Sequence, residues 1–419
     1  MNDKLNRVFE IVKTHNEWRR EECLNMIASE NVMSPLAEKF FLSDFEGRYN
    51  EHDEETHYQG TKYSLEIELL TNSIFGERFN TKYVDSRPIA GAIANLCVYN
   101  AFLKPGDIFM SPGLTAGAHV SSTKYGIAGV MGLNSIDAFF DSEKFVLDVD
   151  NTLKLIEKVK PKLIMLGRSM FLFPEPIREL RDAIGDKIKI IYDAAHVFGL
   201  IYGGKFQQPL EEGADIITAS THKTFPGPQG GIIIARRDLD ENDWRKIQRS
   251  IFPGIISNHH IHRLPSLAIT ALEMNAFGEE YAEQTVKNAK AFAEAMTEFG
   301  FKVLCEDYGF TESHQVLVDV REFGGGKVVA EKMEEVNIII NKIAFPWDTD
   351  KDVTQNPSGL RIGLQELTRF GMKESEMKVV AEFYKKVLID KQDVKKVREE
   401  VKEFRKEFLE PKYCFPVEE

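Results

Sequence analysis

The stretch Ile216-Ile217-Thr218-Ala219-Ser220-Thr221-His222-Lys223-Thr224-Phe225 runs through Pro226-Gly227-Pro228-Gln229-Gly230-Gly231 into Ile232-Ile233-Ile234. Two short apolar runs bounded by small and turn-forming residues predict two buried strands joined by a loop. Lys223 lies on that loop, where an amine can be held against a ligand and lose part of its proton affinity, as Schiff-base chemistry requires. A lone lysine in a polar turn is ordinarily a solvated surface amine. Its neighbours along the chain decide between the two readings.

Outward from this stretch, strands predicted at 107–111, 162–166, 189–192, 216–218 and 232–235 alternate with helical patterns such as 92–103 and 177–183. The alternation predicts an α/β fold with a largely parallel sheet covered by helices, whose ligands gather at the carboxyl ends of the strands. A helix over 283–299, closed by Gly300, leads into a smaller α+β domain with strands at 301–304, 315–320, 337–342 and 360–364. The expected organisation is an N-terminal arm (1–40), a large domain (41–280) and a small C-terminal domain (281–419). The stretch 391–409 spaces Val394, Val397, Val401, Phe404 and Phe408 as an amphipathic helix that packs on its own body. Residues 46–60 show no period but hold two tyrosines among several acids, which marks a functional loop.

The 419 residues leave ample chain for a core, and 43% hydrophobic with 28% charged residues fits a soluble globular protein. A net charge of −13 argues against a nucleic-acid role built on a general basic field. Cys23, Cys97, Cys305 and Cys414 form no paired-ligand spacing, and the start Met1-Asn2-Asp3-Lys4 is polar, so cytoplasmic thiols are expected. No apolar run approaches the roughly twenty residues that span a bilayer.

Several residues carry chemistry by position. Small residues in Pro88-Ile89-Ala90-Gly91-Ala92 lead into a helix whose first N–H groups can cradle a phosphate. His119 follows the 107–111 strand, where its flat ring can stack on an aromatic ligand or serve as a structural histidine. Asp193 ends the apolar strand Ile190-Ile191-Tyr192, a poor place for an unpaired carboxylate. A protonated pyridine nitrogen would satisfy it, as would a helix N-terminus or an arginine. Arg361, inside the apolar Ser358-Gly359-Leu360-Arg361-Ile362-Gly363, wants a planar bidentate acceptor such as a substrate carboxylate, with a structural salt bridge as the alternative. In that order the set suits pyridoxal phosphate bound to an amino acid. His259, His260 and His262 near Asn258 raise a metal site, but adjacent histidines in an extended segment point to opposite sides and no carboxylate or cysteine completes a set. No metal is expected, and contacts to phosphate or backbone are expected of these histidines.

Together with Ile27-Ala28-Ser29-Glu30-Asn31, Asp193-Ala194-Ala195-His196 and Thr221-His222-Lys223-Thr224, the Arg361 motif resembles serine hydroxymethyltransferase, a fold-type I pyridoxal-phosphate enzyme, over about residues 24–377. Archaeal members of that family are the nearer match. The resemblance implies a Schiff base on Lys223 with His222 beside it, Asp193 on the pyridine nitrogen, His119 stacked on the ring and His196 near its hydroxyl. Gly91 and Ala92 would bind phosphate. Ser169, Ser220, Gly254 and Tyr49 complete the cofactor set. Arg361 with Ser29 would take the substrate carboxylate, and Glu51 with Tyr58 would handle protons from a loop that reaches the neighbouring subunit's site, which implies a homodimer. The implied reaction moves the hydroxymethyl group of serine to a reduced pterin, leaving glycine.

Departures from the family pattern cluster in two places. Ala92 replaces a usual serine, Gln229 a usual arginine, and Ile255-Ile256-Ser257-Asn258-His259-His260 a glycine-rich turn that lends backbone donors to the partner's phosphate. Ser257 and Asn258 carry side-chain donors of different geometry, and the sequence leaves open whether they replace the glycine contacts. The polar loop is one residue shorter between Glu51 and Tyr58. Around the pterin, Trp347 replaces an asparagine and Ala118 a glycine. These changes resemble members that use tetrahydromethanopterin rather than tetrahydrofolate. The rival functions are a threonine or allo-threonine aldolase that needs no pterin, and a non-catalytic pyridoxal-phosphate or nucleic-acid-binding protein.

Overall fold

The structure, a computed structural model, describes residues 3–53 and 55–417. It divides into two compact units, Asn31–Glu283 with the tail from Tyr413, and the residues up to Glu30 with Gln284–Lys412.

In the first of these units, β1 (Val84–Asp85), β2 (Ile108–Ser111), β3 (Asn134–Asp137), β4 (Leu163–Leu166), β5 (Lys189–Asp193), β6 (Ile216–Ser220) and β7 (Gly231–Ala235) form one sheet in the order β1-β7-β6-β5-β4-β2-β3. Pairing is parallel from β6 to β3, while β7 runs antiparallel to both its neighbours. Every residue of β4, β6 and β7 is buried, as in strands covered by helices on both faces, and β6 buries Thr218 and Ser220 among its apolar residues. The outer strand β3, Asn-Ser-Ile-Asp, is half-exposed and polar, so its sequence carries no strand signal. The Gly91–Phe102 helix lays Ala94, Cys97, Val98 and Tyr99 into the core of this sheet. After β4 the chain turns at Gly167 with φ +96°, and a Cβ there would collide with the Asp193 carbonyl, so only glycine lets the two strand ends meet.

The second unit holds an antiparallel sheet of β8 (Lys302–Val303), β9 (Gln315–Asp319), β10 (Asn341–Ile343) and β11 (Gly359–Gly363) in the order β8-β9-β11-β10. One strand was expected over 337–342; the chain instead breaks at Ile340. Ile338–Ile339 pairs in parallel with Leu24–Asn25, and Asn341–Ile343 joins the sheet. That pairing, the Trp18 Nε1 bond to Asn337 Oδ1 at 3.0 Å and the Arg405 Nε bond to Cys23 O at 3.0 Å tie the N-terminal residues to this unit. They therefore belong with the C-terminal unit up to Glu30, where a separate arm to residue 40 was expected.

The helix expected at 283–299 is 36 residues long, Arg263–Glu298, and the change of unit falls inside it. The terminal helix forms at Val394–Arg405, capped by Asp393 accepting from Lys396 N–H at 3.0 Å, with Val397 and Val401 buried in the core of its own unit. Among the described residues no helix is long and apolar enough to cross a membrane.

Candidate active site

The loop after β6 is fixed by its own backbone. Thr221 N–H donates to Gly230 O at 3.1 Å, Gly227 N–H donates to Thr221 O at 3.0 Å, and Thr221 Oγ1 donates to Pro228 O at 2.6 Å. Thr224 Oγ1 donates to His196 O at 2.7 Å and accepts from Gly199 N–H at 2.9 Å, which ties the lysine loop to the turn after β5. Asn31 donates to the Lys223 carbonyl at 2.6 Å and to Tyr281 Oη at 2.9 Å. Lys223 is thus half-buried on a loop that cannot swing. Burial, then the charge of Lys223, pushes the His222 imidazole down to about 4, so it is neutral at physiological pH. Its buried Nδ1 has no hydrogen-bond partner among the described residues.

One strand away, Asp193 is buried and accepts from Ala195 N–H at 3.0 Å and from Asn95 Nδ2 at 2.8 Å. Asn95 also accepts from Thr218 Oγ1 at 2.6 Å and donates to Ser121 Oγ at 3.3 Å. Ser121 Oγ lies 2.8 Å from His119 Nδ1, and Ser121 N–H donates to the same nitrogen at 3.2 Å. A continuous network therefore runs from Asp193 through Asn95 and Ser121 to the His119 ring. Sequence reasoning named the two ends and missed Asn95, Ser121 and Thr218. The available signal for Asn95 was a polar amide one turn into an otherwise apolar helix.

The start of that helix has the geometry to cradle an anion. Its N-cap, Ala90, makes no side-chain cap bond, so the first amides, those of Gly91 and Ala92, stand at the positive end of the dipole without a competing oxygen. A Cβ at Gly91 would collide with Ser220 Oγ, the last residue of β6. Ser169 N–H donates to Gly117 O at 2.6 Å, and Gly117, at φ +92°, packs on Met170 where any Cβ would stand 2.8 Å from that side chain. His196 is buried beside the Lys223 loop.

In the other unit, Arg361 is buried in β11 opposite Leu317 and Asn341. Burial brings its guanidinium down to about 10, still protonated at neutral pH, and Asn341 Oδ1 accepts from it at 3.3–3.4 Å. Ser29 sits in a turn held by Gln365 Nε2, which donates to Ile27 O at 2.8 Å and Glu30 O at 2.7 Å, while Gly363 N–H donates to Met26 O at 2.8 Å. Ser29 is thereby fixed at the end of the strand that carries Arg361. Trp347 donates from Nε1 to Ser358 Oγ at 3.1 Å, and the Arg321 guanidinium lies 5.5 Å over its ring.

The polar loop forms a cluster of its own in the sheet-bearing unit. The Tyr49 and Tyr58 rings lie 5.2 Å apart, and the charge of Glu51 raises the Tyr58 phenol. Ser257 Oγ donates to Glu51 Oε1. Asn258 donates to Arg48 O and accepts from Asn50 N–H, both at 2.9 Å. These side chains bond to the polar loop of their own chain. The expectation for His259 is corrected: its Nε2 lies 2.7 Å from the buried carboxylate of Glu68, not on phosphate or backbone. Gly254 lies exposed three residues before Ser257.

A lysine on a fixed loop, a buried strand-end carboxylate, a ring held edge-on by its Nδ1, an uncapped helix start and an unsatisfied buried imidazole nitrogen form a donor set that fits a phosphorylated pyridine aldehyde. Fold and site together define a fold-type I pyridoxal-phosphate enzyme. A structural relative, an L-threonine transaldolase from Pseudomonas fluorescens, superposes with a TM-score of 0.89 at 28% identity, covering 99% of this chain and 96% of its own. The family model for serine hydroxymethyltransferase matches residues 1–384. Serine hydroxymethyltransferases of Saccharolobus islandicus and Staphylothermus marinus are 53% and 51% identical over 98% and 99% of this chain, and over 95% and 94% of their own lengths. The chain belongs to the serine hydroxymethyltransferase family, enzymes that reversibly transfer the hydroxymethyl group of serine to a reduced pterin and release glycine.

Proposed function

We propose that Lys223 is the covalent anchor of pyridoxal phosphate, with Asp193 as the partner of its ring nitrogen and His119 stacked on its face. Gly91 and Ala92 hold the phosphate through backbone N–H groups, and His196, Ser169 and Ser220 flank the ring. The cofactor, when bound, supplies the electron sink that allows a carbon–carbon bond beside an amino group to break. Around it, the neutral His222 imidazole lies next to the Lys223 amine without adding charge. Arg361, assisted by Ser29, takes the carboxylate of serine in a charge-assisted, bidentate contact that orients the amino acid. Glu51, with Tyr58, removes the proton from the serine hydroxyl as the hydroxymethyl carbon departs. Tyr49, Glu51, Tyr58 and Gly254 act in the partner's site of a homodimer located in the cytoplasm.

The observation that carries this reading is the hydrogen-bonded path from Asp193 through Asn95 and Ser121 to His119. It fixes an anionic group and a flat ring beside the lysine loop, the arrangement a protonated heteroaromatic ring needs. For the carrier, Trp347 and Ala118 in place of the usual asparagine and glycine, with archaeal relatives at about half identity, support tetrahydromethanopterin over tetrahydrofolate.

The test is glycine formation from serine by the purified protein with each carrier in turn. Faster turnover with tetrahydromethanopterin is expected, and the Lys223→Ala variant should lose both turnover and the visible cofactor absorbance. The likeness to an L-threonine transaldolase favours one second reading, carrier-independent cleavage of threonine or allo-threonine. Rapid allo-threonine cleavage with serine untouched by either carrier would establish it and overturn the first.

A further inference from the structure

The loop bearing Glu51 has almost no regular structure to hold it. After the short turn Asp44–Gly47, and before the helix Lys62–Phe79 begins, the described residues make one isolated bridge, His52 to Thr56. Irregular backbone that must hold a side chain to within a fraction of an ångström needs partners from elsewhere. Those partners come from about two hundred residues downstream. The Asn258 amide accepts from Asn50 N–H and donates to Arg48 O, both at 2.9 Å, and so mimics the pairing a neighbouring β-strand would give. A primary amide carries its donor and its acceptor on separate atoms, as that arrangement uses them, whereas an ionised aspartate would only accept.

The residues on either side of Glu51 are pinned to one buried carboxylate. Asn50 donates from Nδ2 to Glu68 Oε2 at 2.9 Å and accepts from Ser64 Oγ at 3.1 Å, and His52 Nε2 lies 2.9 Å from Glu68 Oε1. His259 Nε2 reaches the same carboxylate at 2.7 Å, and Arg87 donates to His52 O at 3.3 Å. Burial disfavours a charged Glu68, yet the bonds from His259 and His52 outweigh it and hold the carboxyl well below the usual range. With residues 50 and 52 clamped, Glu51 keeps only its side-chain torsions, and Ser257 Oγ donates to its Oε1.

We propose that the turn Ser257-Asn258-His259, acting with Glu68, is the positioning element for Glu51. This inference rests on the proton-handling role of Glu51 given above. The turn occupies the segment where the family pattern has a glycine-rich turn.

Ser257→Ala and Asn258→Ala, each alone and combined with Glu51→Gln, separate the possibilities. Each single variant should lower kcat for serine-to-glycine transfer about tenfold, the scale of a slightly misplaced catalytic group, with the KM for serine and the cofactor absorbance unchanged. Ser257→Thr, which keeps the hydroxyl, should restore most of kcat. In the Glu51→Gln background neither substitution should cost anything further, because residues acting through one group are not additive. Losses that multiply in that background, or a Ser257→Ala loss that tracks cofactor release, would overturn the proposal, as would wild-type kcat in both single variants. Should Glu51→Gln alone retain full activity, the role of Glu51 fails and the inference falls with it. If Asn258→Ala lowers the melting temperature and fails to load cofactor, the exposed Ser257 carries the same cycle alone.

Discussion

Asn95 is the residue on which the cofactor chemistry of this chain most depends without touching the lysine. Its amide donates to Asp193 Oδ2 at 2.8 Å and accepts from Thr218 Oγ1 at 2.6 Å, with all three side chains buried. Asn95→Ala removes one hydrogen bond to a charged group and two between neutral groups, the second of these to Ser121 Oγ, together about 2.5–6 kcal/mol, and leaves Asp193 with the Ala195 N–H. With Asp193 on the ring nitrogen as proposed, the carboxylate then has room to turn, and loss of that one bond, about 1.4 kcal/mol, should weaken cofactor retention about tenfold. Equilibrium dialysis against pyridoxal phosphate, paired with thermal unfolding of the cofactor-free protein, reads the two effects separately. Asn95→Asp sharpens the test. It keeps the shape but sets two buried carboxylates side by side, so one must hold a proton, and cofactor retention should recover as pH falls. Thr218→Val, which frees only the far end of Asn95, should lie between wild type and Asn95→Ala. If Asn95→Ala binds cofactor and melts as the wild type does, the network is ornamental and the assignment of Asp193 as a held anion is wrong.

Two further outcomes follow from individual positions. Gly91→Ala places a methyl against Ser220 Oγ and 3.3 Å from Ser220 N, both in the buried end of β6, so the helix start must shift. The variant should fold, lose cofactor absorbance on gel filtration and regain part of it in combination with Ser220→Gly; full loading by Gly91→Ala alone would contradict the cradle. Glu366, buried beside Asn25, which donates to it at 2.9 Å, is pushed up to about 7 by burial. Its folded form holds the proton more tightly than the unfolded chain, so its contribution is fully present below about pH 4.5 and is lost as pH rises to about 7, a change of about 3 kcal/mol. Glu366→Gln has no proton to lose, so its melting temperature relative to wild type should be higher at pH 8 than at pH 5. Parallel melting curves across that range would refute the assignment.

Much of the site was legible because its residues are announced locally. Lys223 and Asp193 each stand at the boundary of an apolar strand, and the alternation that places those strands is a property of adjacent residues. Asn95 was not legible, since its meaning lies in partners 98 and 123 positions away. His259 looked like a loop histidine because nothing near it in sequence is acidic; its carboxylate is 191 residues upstream. The long helix was read as beginning at 283 partly because Pro265 and Gly278 weaken the pattern before it. Pro265 falls in its first turn, where a missing N–H costs nothing, and the Gly278 carbonyl packs so closely on Gly203 that a Cβ at Gly203 would strike it.

The departures from the family pattern have a common physical logic. Ala92 gives up a hydroxyl donor, but the helix start stays uncapped and keeps its amides, so the cradle proposed for the phosphate needs backbone alone. The amino-acid half of the site is set by strand ends and a helix terminus, and the burial of β4–β6 leaves little freedom to alter them. Ser257, Asn258 and Trp347 lie outside the strands, in segments that a rigid scaffold tolerates changing. Trp347 is nonetheless held in place, by Ser358 at one edge and by the Arg321 guanidinium over its face. A fixed, half-exposed indole has one definite shape to offer. Discrimination between two pterins that share a reacting ring system is therefore expected to reside in loop residues such as this one, and Trp347→Asn should shift the carrier preference while leaving the KM for serine unchanged.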